Sequence, residues 1–115
     1  MPKDYKKGDI IYTYFSLPNQ GIIKEHPILI ISDEEMFINQ EVYIGVMMTH
    51  MKIEDEHTFE ITDDMLYKKT KDDAFMQVRL HLVTYLQEKD CNNYPFNSMK
   101  PIFIDEIIKE LKMRL

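Results

Sequence analysis

Residues 75–86 read FMQVRLHLVTYL. Met76, Val78, Leu80 and Leu82 are apolar, and Gln77, Arg79 and His81 stand between them. A period of two predicts a strand, the longest in the chain, with the three polar groups on one face. Residues two apart on a strand have Cα atoms about 6.5–7 Å from one another, the scale of one phosphodiester and its flanking sugars. Arginine is a fixed cation with a planar fork of donors suited to phosphate. Histidine beside it gives or takes a proton near neutral pH. The same pattern also describes the solvated face of an ordinary antiparallel strand.

Other strands are legible on the N-terminal side. Gly8 and Asp9 open IIYTYFSL at 10–17, rich in β-branched and aromatic residues. Pro18, Asn19, Gln20 and Gly21 signal a loop. PILIIS at 27–32 has no polar alternation and is expected to be buried on both faces. A helical turn at 33–37, capped by Ser32, is expected next. VYIGVMMT at 42–49 and the alternating HTFEI at 57–61 are further strands. Thr62, Asp63 and Asp64 lead into a short turn over 65–68. Residues 68–73 and 87–98 read as charged and polar loops. The end, 102–115, predicts a helix, with Ile104, Ile107, Ile108, Leu111 and Leu115 on one stripe. Asp105 and Glu106 lie toward its start and Lys112 and Arg114 toward its end, as the helix dipole favours. Runs of strands with one terminal helix imply a mainly β fold, a small barrel with helical additions.

At 115 residues the chain is expected to form one domain, 1–115, because two cores would be hard to fit. Hydrophobic residues at 44% and charged residues at 30% supply a packed core and argue against wholesale disorder. The formal charge of −6 excludes a uniformly basic, nucleic-acid-coating surface. The excess acid is local: residues 32–64 hold one Lys against ten acids, whereas 1–31 hold four Lys against three. Residues 65–115 hold nine Lys or Arg against seven acids, so a local basic site is compatible with the total. One cysteine, Cys91, leaves no internal disulfide and no cysteine-based zinc site. The charged start lacks the apolar core of a signal peptide, and no run approaches the roughly 18 apolar residues of a membrane span. A cytoplasmic protein with no membrane association is therefore expected.

Further candidate groups are His26, in a loop before Pro27, and the pair Thr49 and His50 at a strand end. A hydroxyl and an imidazole there could contact phosphate or ribose, or simply terminate the strand. His57 lies among Glu54, Asp55, Glu56 and Glu60. A metal reading of that group competes with a solvated acidic loop, and the loop is favoured. No Gly-rich phosphate loop, nucleophile elbow, HExxH or CxxC is present, so no cofactor and no metal are expected.

Over residues 7–90 the chain resembles the PemK/MazF family of toxins from toxin–antitoxin pairs. The resemblance is carried by KGDIIYTYF (7–15), PNQGIIKEHPILIIS (18–32), VYIGVMMT (42–49) and MQVRLHLVTYLQEKD (76–90), in the family's order. It implies a small SH3-like barrel, a homodimer, and a metal-independent endoribonuclease cutting single-stranded RNA by attack of the ribose 2′-OH. It also implies a cognate antitoxin as partner. Carried over by position, Thr49 matches the family's active-site Ser or Thr, and Arg79 an Arg of the late strand. His26 stands where the family most often has Arg before Pro, and Met76 near a place where some members carry an acid. A neutral imidazole at that position weakens phosphate stabilisation and eases proton transfer. The implied catalytic set is Arg79, Thr49, His26 and His81, with Lys24, Gln77, Gln20 and His50 as RNA contacts. The departures leave an alternative, a catalytically degraded barrel that binds protein or nucleic acid.

Overall fold

In the computed structural model, residues 5–16, 21, 23–68, 76–87 and 94–114 are described. Gln20, Cys91, Leu115 and most of the two long loops expected at 68–73 and 87–98 lie outside them. The elements are β1 (Asp9–Ser16), β2 (Ile23–Ile30), α1 (Glu34–Gln40), β3 (Val42–Thr49), β4 (Thr58–Ile61), a 3-10 turn (Asp63–Met65), β5 (Met76–Gln87), β6 (Asn97–Ser98) and α2 (Pro101–Arg114). The strands form one antiparallel sheet in the order β4-β5-β3-β2-β1-β6.

The sheet curls until its two ends meet. Leu66, just beyond β4, bridges to Met99, just beyond β6. Tyr67 N donates to Ser98 O at 2.9 Å and Lys100 N to Met65 O at 2.8 Å. The buried Asn97 staples the seam: its Oδ1 accepts from Lys68 N at 3.1 Å, and its Nδ2 donates to Lys68 O at 3.0 Å. Closure removes the unpaired edges an open sheet would expose. This is the small barrel with a C-terminal helix that the sequence implies.

Two apolar clusters hold it. One lies between the sheet and α2 and joins Ile10, Leu29, Val46 and Val78 to Ile104, Ile107 and Leu111. The other, on the opposite face, contains Tyr5, Ile11, Ile28, Ile30, Tyr43, Met47 and Leu86. Alternate residues of β2 feed the two clusters, which is why 27–30 shows no polar alternation. Gly45 permits the close approach of β2 and β3, since a Cβ there would run into Ile28 Cγ2 and lie 3.2 Å from Leu29 O.

Several boundaries differ from expectation. β2 begins at Ile23, so His26 lies within a strand and not in a loop before one. Its polar start pairs with β1, Lys24 with Phe15 and Glu25 with Tyr14, and that pairing extends the strand beyond its apolar run. Asp33 caps α1, its Oδ1 accepting from Met36 N at 3.1 Å. Ser32 Oγ instead accepts from Ile44 N at 2.9 Å and ties the linker to β3. β6 forms inside the segment read as a polar loop, because Asn97 and Ser98 complete the seam. Asp105 and Glu106 lie beyond the first turn of α2, whose last turn carries Lys112 and Arg114.

Candidate active site

A polar row crosses the sheet on the face of the second cluster. Thr13 pairs with His26 and Thr49 with Gln77. The β2–β3 ladder ends at Ile28 and Met47, and alternation puts His26 on the face of Ile28 and Thr49 on the face of Met47. Residues directly opposite share a face, so Thr13, His26, Thr49 and Gln77 lie on one face of the sheet. Thr13 and Thr49 are buried and His26 is half-buried. Thr49 Oγ1 accepts from Met51 N at 3.1 Å, which fixes the hydroxyl at the turn leaving β3. Burial first, and then the Lys24 ammonium, push the His26 imidazole below its ordinary value. Both effects favour the neutral ring. Lys24, two residues earlier on the same face, is exposed.

Gln77, Arg79 and His81 share a face, as their spacing predicts, but at Gln77 and Arg79 that face is covered. All five residues from Met76 to Leu80 are buried. The α2 side covers Met76, Val78 and Leu80. Segment 51–57 covers the polar side, residue by residue. Gln77 is fully buried, its Oε1 accepting from Ile53 N at 3.0 Å and its Nε2 donating to Ile53 O at 3.1 Å. Its amide therefore faces protein, and neither the solvated strand face nor an open RNA contact at Gln77 is realised in this structure. Arg79 is 7% exposed and donates through Nη1 and Nη2 to both Asp55 oxygens, at 3.0 and 2.8 Å. Nη1 also donates to Thr58 Oγ1 at 2.7 Å. That hydrogen-bonded guanidinium holds the Asp55 carboxyl well below the usual carboxylate range.

His81 is exposed, and its ring lies against His57 with centroids 4.7 Å apart. Burial, then the Arg79 charge and His57, lower its pKa, while Asp55 opposes them. His57 Nε2 is 3.6 Å from Glu56 Oε1, and its buried Nδ1 has no hydrogen-bond partner among the described residues. No group of three His, Cys, Asp or Glu side chains suited to a metal ion is found among the described residues.

The structure puts Thr49, His26 and Gln77 on one face, and Arg79 and His81 follow Gln77 along β5. His50 goes elsewhere. Its Nε2 lies 3.0 Å from the Tyr12 hydroxyl, and Tyr12 stacks on Phe96 at 4.4 Å. Strand alternation places Tyr12 with Ile10 on the α2 face, away from Thr49. Ile53, Asp55 and His57 are the partners of β5 on this side. Their spacing matches that of 77, 79 and 81, a signal present in the sequence but unreadable until the register between the segments is known.

The topology matches solved structures. MazF from Deinococcus radiodurans (crystal form I) superposes with a TM-score of 0.74 over 96% of this chain and 96% of that one, at 9% identity. The chain has the MazF fold. MazE–MazF from the same organism superposes with TM-scores of 0.71 in forms II and III, at 9% and 11% identity, over 96% of this chain and 95% of that chain. Searches with protein-family models and among curated proteins find no match to the sequence. In this MazF fold the resemblance therefore lies in the order and spacing of elements, while most side chains differ. No helix is long and apolar enough to cross a membrane among the described residues.

Proposed function

We propose that this chain is the toxin of a toxin–antitoxin pair, an endoribonuclease that cuts single-stranded RNA without a metal. The observation that carries the reading is a polar face of a MazF fold that holds His26, paired with Thr13, and Thr49, paired with Gln77. Cleavage starts when the ribose 2′-OH loses its proton and its oxygen attacks the adjacent phosphorus. The 5′-oxygen then leaves as a proton reaches it, and a cyclic phosphate remains. His26, whose surroundings favour the neutral ring, is suited to accept the first proton. Thr49 holds a phosphate oxygen or the 2′-OH, and Lys24 adds positive charge from the same face. Arg79 stabilises the phosphorane and His81 is the second group for proton transfer. The active form is a cytoplasmic homodimer inhibited by an antitoxin, a partner suggested by the MazE–MazF structures.

RNA incubated with the purified protein in EDTA tests this. Cleavage by the wild type, lost in the Arg79→Ala, His26→Ala double variant, is expected. Equal RNA integrity with both proteins would overturn it.

One observation favours a second reading, a barrel that binds without cutting: Arg79 is closed off by Asp55 and Thr58. Under that reading the protein binds a partner or RNA while every tested RNA stays intact.

A further inference from the structure

We infer that segment 51–57 is an autoinhibitory strap, in which the Asp55 carboxylate occupies Arg79 in place of a phosphate, so that a phosphate anion reaches Arg79 only by displacing the strap. The inference rests on the reading of Arg79 as a phosphate contact.

Three alternate residues of the segment engage three alternate residues of β5: Ile53 with Gln77, Asp55 with Arg79, and His57 with His81. The middle contact uses a planar, two-oxygen anion on the guanidinium fork, the geometry in which Arg also takes phosphate. The carboxylate takes both N–H groups of that fork, and with Arg79 only 7% exposed a phosphate reaches the fork only as the carboxylate leaves it. The strap is held at one end by Leu80 N donating to His57 O at 2.8 Å, where β4 begins. At its middle it is held by side chains alone, the Gln77 amide gripping both polar groups of the Ile53 backbone. Apart from the half-buried Ile53, residues 51–56 are exposed, so little apolar burial opposes local opening. Asp55 keeps 35% of its side chain in solvent, against 9% for Arg79, so a dissolved anion meets the carboxylate side of the pair. Gln77 is on this view a positioning residue that fastens the strap, and no RNA contact.

The test titrates inorganic phosphate into the full chain and its Asp55→Asn variant, followed by NMR. The variant keeps the side-chain shape but not the charge. Its phosphate affinity is expected to rise at least tenfold over wild type, and an added Arg79→Gln change to abolish the gain. In the wild type, saturating phosphate is expected to speed hydrogen exchange at the Ile53 amide, while amides of the β1–β2 ladder stay unchanged. Equal affinity in the two proteins, binding in neither, or unchanged Ile53 exchange would each overturn the strap. Should Asp55→Asn fail to fold, exchange in the wild type decides alone. RNA cleavage on the same samples separates the two ideas. Cleavage without a phosphate effect sinks the strap only, and a phosphate effect without cleavage in either protein sinks the nuclease reading only.

Discussion

At the residue scale the informative groups are two histidines whose environments disfavour charge. Burial, with Lys24 near His26 and with Arg79 and His57 near His81, lowers both pKa values below the ordinary 6.5. An unfolded chain takes up protons at these sites before the folded one does. Their contribution to stability is therefore complete above about pH 6.5 and is lost as pH falls from there through the folded values. Urea unfolding at pH 7.5 and 5.5 checks this. The wild type should lose more stability between the two than the His26→Gln, His81→Gln double variant. The candidate residues themselves were legible, because Gln77, Arg79 and His81 announce a shared face by spacing alone. Their exposure was not, since it depends on a segment more than 20 residues away in sequence.

At the scale of elements, β3, β5 and α2 appear within a residue of their expected bounds, because each has a clear period. β2 and β6 do not, because partners and not composition extend them. The link from α1 to β3 carries a cost the sequence does not advertise. Glu41 adopts φ 59°, the left-handed region a glycine enters without strain. Position 41 follows the last helical residue, where helices most often end in glycine. Glu41→Gly is expected to stabilise the protein by about 0.5–1 kcal/mol, read as a higher denaturation midpoint at unchanged slope. A lower midpoint would contradict that account.

For the whole molecule, the seam that closes the barrel is the decisive feature. Asn97 is buried and makes paired bonds to the Lys68 backbone, so its loss leaves a part-buried donor and acceptor unmatched. Asn97→Ala is expected to cost about 1–3 kcal/mol. Hydrogen exchange should quicken at Tyr67 and Lys100, whose amides cross the seam, more than in the β1–β2 ladder. Uniform quickening would show instead that the seam has no separate opening. The −6 charge also belongs at this scale: its excess in 32–64 includes Asp55, which neutralises the late-strand arginine.

Periodicity alone determines β3, β5, the terminal helix and the set of polar groups on β5, because side-chain direction follows from backbone period. Tertiary structure decided which of those groups meet solvent. Closure of the sheet and the docking of 51–57 are long-range events: they set Asp55 on Arg79 and Ile53 on Gln77, and no local pattern encodes that register.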